Sequence, residues 1–349
     1  MIEDELAQSL RQIIIDYQAF DGDETQISER NIKTWANQFN DPLFILTEMN
    51  HLLPKCYVSK KKGIDFFNKE LEEVANINNV SKNELLKQSS FLNLQGSEKS
   101  QAYINELIIE SLIDELPKDS LLNKHNKKFY FYFDDIIATG GTIRRNLKQW
   151  LESTESEGED PIVKKIKDKK IKLYIIVLGL QNWGWANTEY YLMQTVDKQI
   201  DKLLNKRVLI EIENHPRFRN QQFNCCYPIK NENEIINTYF NSLEQMQYEA
   251  SAFRPSNLPI KEEFYSNAAN RNKLEQEFLL KGIELLNKLD IVKQNQRPLG
   301  FCHPNHKILG CGTMFFSWRN IPNNSPLVFW WNVPGHNWTP LFNVINRGS

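Results

Sequence analysis

The chain has 349 residues, room for two domains at about 150 residues each. Hydrophobic residues make up 41% and charged residues 25%, values that exclude disorder along the whole length. With 42 basic and 44 acidic residues the net charge is −2, so no global attraction to nucleic acid or anionic lipid follows. The five cysteines, Cys56, Cys225, Cys226, Cys302 and Cys311, are odd in number and sparse, unlike a disulfide framework. No apolar run reaches the roughly 18–20 residues that span a bilayer. The first residues are acidic where a signal peptide is basic. The expectation is a soluble protein of a reducing, cytoplasmic compartment, with no membrane partner.

Residues 1–90 read as a helical domain or cap. Leu6, Leu10, Ile13, Ile14 and Tyr17 recur at three- and four-residue spacing, one buried helix face. Ser28 can cap a second helix carrying Ile32, Trp35 and Phe39. Asp41-Pro42 opens a third, and a fourth after Gly63 carries Phe66, Phe67, Leu71 and Val74.

Residues 91–230 read as an α/β core. A short apolar run (91–94) precedes a helical segment (101–116), a β-prone run KFYFYF (128–133) and a helix (142–151). The near-continuous apolar run IKLYIIVLGL (171–180) suits a strand covered on both faces. A helix over 188–203 and a strand over 207–212 follow. Strands alternating with helices predict right-handed βαβ units and a parallel sheet. Residues 231–349 read as a helical and β-rich part that completes the core or forms a hood, with Trp330 and Trp331 on an apolar strand. Six lysines (Lys164, Lys165, Lys167, Lys169, Lys170, Lys172) follow the acidic stretch ESTESEGED. They read as a solvated segment rather than a nucleic-acid patch, because neighbouring opposite charges offset them.

The most informative stretch is FYFYFDDIIATGGT, residues 129–142. An apolar strand delivers Asp134 and Asp135 to its carboxyl end, where ligands bind in open α/β sheets. Gly140 and Gly141 let the backbone approach an anion closely. The helix that follows offers unpaired N–H groups and a positive dipole end, and Thr139 and Thr142 add hydroxyls. Two carboxylates beside a phosphate cradle suit the vicinal hydroxyls of a ribose and a Mg2+ held directly or through water. The pattern predicts a site for a ribose 5-phosphate.

The motif resembles the phosphoribosyl pyrophosphate (PRPP) loop of the type I phosphoribosyltransferases, with Asp134, Asp135, Thr139, Gly140, Gly141 and Thr142 on the matching positions. The resemblance implies a type I phosphoribosyltransferase-like parallel sheet flanked by helices, with Mg2+ as cofactor. It also implies an upstream pyrophosphate loop, and the turn after residues 91–94 stands in the right order. There Gly96, Ser97, Lys99 and Ser100 can bind a diphosphate, with Lys99 neutralising its charge. A polar turn before a helix has the same composition.

A closer resemblance covers nearly the whole chain. It looks like the phosphoribosyltransferase-like family of bacterial conflict systems, including retron-type anti-phage loci. It rests on NIKTWANQF (31–39), KCYVSKKKG (55–63), GSEKS (96–100), RPLGF (297–301), IPNNSPLVFWW (321–331) and WTPLF (338–342). CHPNHKILGCG stands after RPLGF, where the pattern leads one to expect a Gly turn into a strand. The resemblance implies an effector or toxin of an anti-phage system, a transferase or nucleotide hydrolase in which Asp134, Asp135 and Lys99 carry the chemistry. Residues 118–128 are the candidate mobile catalytic loop. The alternative is a non-catalytic PRPP- or nucleotide-sensing subunit, or an adaptor for a reverse transcriptase–nucleic acid complex or another defence protein. A homo-oligomer is compatible with either.

Cys302, His303, His306 and Cys311 are zinc-capable residue types, but adjacent Cys-His ligands are awkward and a turn with buried cysteines is the simpler reading. Trp330 or Trp331 can stack on a base, though core filling is favoured. The segment Asn182-Trp183-Gly184-Trp185 reads as a connection at the same sheet edge as the acid pair.

Overall fold

The first helices begin where the sequence places their caps. The computed structural model describes residues 2–19, 24–97, 99–112, 120–215, 222–243 and 249–344. After α1 (Ile2–Ile13), Ser28 caps α2 (Glu29–Ala36) in a reciprocal capping box with Asn31. Asp41 caps α3 (Pro42–Cys56) through the Phe44 N–H, with Pro42 in the first turn, where its missing N–H costs nothing. Then come β1 (Tyr57–Val58), α4 (Lys60–Ile77), α5 (Lys82–Lys87), β2 (Ser89–Phe91), α6 (Ser100–Ser111), β3 (Phe129–Ile137) and α7 (Gly141–Glu152). The rest are α8 (Ile162–Lys167), β4 (Lys172–Gln181), α9 (Asn182–Thr195), β5 (Leu204–Ile212), α10 (Glu234–Ser242), α11 (Ala268–Leu286) and β6 (Phe316–Ser317). The end of the helix expected over 101–116, and residues 118–119 of the candidate loop, lie outside the described residues.

The chain divides into one unit of residues 61–211 and a second of residues 1–60 with 212–349. These limits differ from the 1–90, 91–230 and 231–349 expected from composition, and packing gives the reason. Residues 61–90 are not part of a separate cap. Phe67 of α4 sits edge-on against Phe133 of β3 with ring centroids 5.5 Å apart, and Asn78 donates to the Tyr174 hydroxyl on β4. The boundary falls at the start of α4, where no change in composition marks it.

The 61–211 unit holds a four-stranded sheet in the order β2-β3-β4-β5, with β2, β3 and β4 parallel. This is the α/β architecture expected, a parallel sheet flanked by helices. Tyr130 and Tyr132 of β3 face a layer formed with Ile143, Leu147 and Leu151 of α7 and Leu173, Ile175 and Val177 of β4. Phe129, Phe131 and Phe133 alternate with them and are fully buried too, which explains why the strand reads as a continuous apolar run. The described part of the 118–128 segment is not a loop over the carboxyl edge. Leu122 bridges Phe91 at the sheet margin, and Lys128 leads into the amino end of β3.

In the second unit, the aromatic residues of the two chain ends share one core. Trp35 stacks on Phe329 at 5.8 Å and donates its indole N–H to the Val328 carbonyl at 2.8 Å. Tyr17 and Phe316 both pack on Phe342. Around the buried Glu275, Arg254 and Arg271 form ion pairs, and Arg271 also pairs with Glu262. The expected β-rich C-terminal part is corrected: among residues 249–344 the sole strand is the two-residue β6, paired parallel with β1. Gly300, Gly310 and Gly312 take positive φ there and hold turns in place of strands. Trp330 and Trp331 follow a short 3-10 turn, are 7% and 3% exposed, and donate to the Ser325 carbonyl and His336 Nδ1. They are core residues.

The connection expected at residues 182–185 is instead the first turn of α9, which starts directly after β4. Gly184 is there because the backbone of the 138–140 loop rests on it. A Cβ at Gly184 would stand 1.6 Å from the Ala138 carbonyl oxygen. Glycine inside a helix ordinarily costs about 1 kcal/mol relative to alanine, so an unconstrained Gly184→Ala change would stabilise. The packing predicts the opposite sign, a loss of about 2 kcal/mol or more, read as a lowered midpoint in urea. An unchanged or raised midpoint would show that the loop does not depend on this seat.

Candidate functional site

Strand β3 carries Asp134 and Asp135 in its last turn of pleat, and successive residues of a strand point to opposite faces. The two acids therefore meet different surroundings. Asp134 is 5% exposed. Its Oδ1 accepts from Ser100 Oγ at 2.7 Å and from the Asp135 N–H at 2.9 Å. Its Oδ2 accepts from Gln95 Nε2 at 2.6 Å and from the Tyr132 hydroxyl at 3.1 Å. Asp135 is half-buried, and its Oδ1 accepts from the Ile136 N–H at 2.7 Å.

Burial, and then the charge of Asp135, push the Asp134 carboxyl up to about 7, against a downward pull from Ser100. Burial and the neighbouring Asp134 raise the Tyr132 phenol well above its ordinary value, so it stays a hydroxyl and donates. Near neutrality the acid pair thus carries less than its two formal charges.

The phosphate-type loop follows at once. Gly140 has φ +77° and caps α7 without any side-chain bond. The N–H groups of the first turn, on Gly141, Thr142 and Ile143, therefore have no side-chain cap. A side chain at Gly140 would collide with Thr188 Oγ1 at 2.2 Å and the Gly184 carbonyl oxygen at 2.4 Å. Thr188 is fully buried and bonds the Gly184 carbonyl at 2.9 Å. Sequence reasoning found the loop and put Gly184 at the same sheet edge, but missed that Gly184 and Thr188 hold the loop from α9; the small residue inside Trp-Gly-Trp was the available signal. Thr139 and Gly141 are half-buried, and Thr142 is exposed.

The upstream turn is brought to the same place. Gln95 and Ser100, at its two ends, both bond Asp134. The turn rests on Gln101, fully buried, whose Oε1 accepts from the Leu94 N–H at 2.6 Å and the Gln95 N–H at 3.1 Å. Between these anchors Gly96, Ser97 and Lys99 are exposed, and Lys99 occupies the N-cap position of α6. Ser100, expected as a diphosphate contact, instead spends its hydroxyl on the acid. Gln95 and Gln101 were not singled out from the sequence, where a glutamine in a polar turn has no distinguishing pattern.

The two carboxylates offer oxygen, the donor type a hard cation takes. Asp134 can ligate directly only if its bound donors leave; Asp135 is the more exposed of the two acids and takes the Ile136 N–H on its Oδ1. Among the described residues no group of three or more His, Cys, Asp or Glu side chains is arranged to hold a metal ion by itself. The acid pair fits a cation shared with the oxygens of a bound ligand.

The other constellations resolve into structure. Lys164 pairs with Asp160, Lys165 with Glu155 and Glu159, Lys167 with Asp197, and Lys170 with Asp168. Lys172 donates to Asn78. Most of the lysine run is thus offset locally by its own neighbours. The His303 and His306 rings stack at 4.8 Å, Cys302 donates to the His303 carbonyl, and Cys311 accepts from Asn324. Burial, His303 and Arg297 lower His306 to about 4. No helix among the described residues is long and apolar enough to cross a membrane.

The model of the PRTase-CE family matches residues 32–344, most of the chain, and the chain belongs to that family, a phosphoribosyltransferase-like one. No curated protein and no solved structure matches it.

The raised Asp134 carboxyl has a thermodynamic signature. Between its ordinary 3.8 and about 7 the folded state binds the proton more tightly than the unfolded chain. Its contribution to stability is therefore complete below about pH 4 and is lost as pH rises through about 7. Thermal unfolding of Asp134→Asn and of the unaltered protein, followed from pH 4 to 8, should show the variant gaining relative stability as pH rises. A difference in midpoint that stays flat across this range would contradict the assigned environment.

Proposed function

We propose that this PRTase-CE protein binds PRPP, or a related nucleotide built on ribose 5-phosphate, at the carboxyl end of β3, and breaks or transfers the bond at the anomeric carbon. The observation that supports this best is the convergence of three features: a half-exposed carboxylate at the strand end, an uncapped glycine-opened helix start beside it, and a polar turn tied to the same acid pair. The 5-phosphate takes the N–H groups at the start of α7 and the hydroxyls of Thr139 and Thr142. Asp135 accepts from a ribose hydroxyl and fixes the sugar's orientation. Lys99, exposed at the head of α6, lies in the turn that would receive the diphosphate and offsets its charge.

In the reaction the bond between the anomeric carbon and the diphosphate oxygen breaks, and the diphosphate leaves with the electron pair. Water or an acceptor group forms the new bond at that carbon and releases a proton to solvent. Mg2+, when bound with the ligand, supplies charge neutralisation on the diphosphate, and Asp135 is the residue that would hold it from the protein side. The defence role rests on the resemblance to conflict-system proteins, which makes the chain an effector with a nucleotide as its target. The turn drawn onto Asp134 also favours a second reading, a sensor that binds the same ligand and signals to a partner such as a reverse transcriptase complex. A site already organised by its own side chains is ready to bind without turnover.

Phosphorus NMR separates these readings. PRPP, nucleoside triphosphates and NAD would each be incubated with Mg2+ and the protein, its Asp135→Asn variant and its Lys99→Ala variant. The enzyme reading expects one of them to be consumed, with rates lower by about 100-fold in both variants. Binding without consumption would transfer the case to the sensor. Turnover equal in all three proteins would remove the site from the reaction.

A further inference from the structure

We infer that Asp134 is a positioning residue and not a ribose ligand: it clamps the 95–101 turn, through Gln95 and Ser100, into the shape that receives a diphosphate. The inference rests on the proposed reading of the site as one for PRPP. Four donors converge on this one carboxylate, two on each oxygen, at 2.6–3.1 Å. Asp134 is 5% exposed, so water cannot replace a lost donor cheaply. Two of the four donors come from the ends of the turn itself. The other two, the Tyr132 hydroxyl and the Asp135 N–H, belong to β3 and hold the carboxylate in place.

The turn is pinned from below as well. Gln101 is fully buried and takes both the Leu94 and Gln95 N–H groups on one oxygen. Asn105, also buried, donates to the Leu92 carbonyl at 2.9 Å. A polar turn would otherwise sample many conformations, and ordering it at the moment of binding costs affinity. The clamp removes that cost beforehand. It also divides labour within the acid pair: Asp134 works on the protein, and Asp135 works on the ligand. An exposed Lys99 then stands next to an anchored Ser100.

The two halves of the ligand give the test. Binding of inorganic pyrophosphate and of ribose 5-phosphate, each with Mg2+, would be measured by calorimetry. The proteins are the unaltered chain, Gln95→Ala, Ser100→Ala, Ser100→Thr, Asp134→Asn and Asp135→Asn. The clamp predicts that Gln95→Ala and Ser100→Ala weaken pyrophosphate about tenfold, the equivalent of about 1.4 kcal/mol. Ribose 5-phosphate binding should change less than about twofold in both. Ser100→Thr keeps the hydroxyl and should restore pyrophosphate binding. Asp135→Asn should lose ribose 5-phosphate and, because Asp135 would also hold the Mg2+, weaken pyrophosphate as well, a pattern the two clamp variants do not share. The inference is overturned if Gln95→Ala and Ser100→Ala bind both ligands normally, or lose both equally while circular dichroism shows them folded. It is also overturned if Asp134→Asn loses ribose 5-phosphate as Asp135→Asn does. If the unaltered protein binds neither half, the PRPP reading itself fails, a result distinct from failure of the clamp.

Discussion

A carboxylate removed from water must be surrounded by donors, and the candidate site is organised around one that is. Asp134 sits at the end of β3 with Ser100, Gln95, Tyr132 and a backbone N–H on its two oxygens. Each partner arrives from a different local cause. Tyr132 comes from the alternation of the same strand, the backbone N–H from the next residue, and the other two from a turn that Gln101 pins beneath. Removing a donor would leave a buried polar oxygen short of a partner, a loss of about 1–3 kcal/mol. The position of the upstream turn is thus a consequence of electrostatics, and the geometry offered to a ligand follows from it.

The loop on the other side of the acids is held by sterics. At Gly140 and Gly184 a side chain would strike backbone or a buried hydroxyl, and together they seat residues 138–140 on the first turn of α9. The groups proposed to face the ligand are left exposed between these two supports. Thr142, Lys99, Ser97 and Gly96 are all at the surface, whereas Asp134, Gln101 and Thr188 are buried. A rigid inner layer carrying a solvent-facing outer layer is what recognition of a charged, hydrated ligand requires.

Much of this was legible from residue types in order. The strand, the acid pair, the glycines and the helix start were visible because each is fixed by local chemistry within 14 contiguous residues. The capping of α2 and α3 was visible for the same reason. What escaped depends on contacts between distant segments. The bonds from Gln95 and Ser100 to Asp134 span 39 and 34 residues. The shared aromatic core of Trp35 and Phe329 joins residues nearly 300 apart in number, and it moves the unit boundary away from the change in composition. The strand expected at Trp330 and Trp331 failed because apolar runs of this length pack equally well as buried irregular chain. The helical first turn at Asn182 was missed because Gly184 lowers helix propensity, and its reason, the carbonyl of Ala138, lies on another element.

The central claim is that the carboxyl end of β3 is a site for ribose 5-phosphate, with Asp135 on the sugar and the start of α7 on the phosphate. The most direct test is a crystal structure of the protein with PRPP and Mg2+. The account predicts the 5-phosphate on the N–H groups of Gly141 and Thr142, a ribose hydroxyl on Asp135, and Asp134 still bonded to Gln95 and Ser100. Density for the ligand elsewhere, or a ribose bonded to Asp134 with Gln95 and Ser100 displaced, would contradict it.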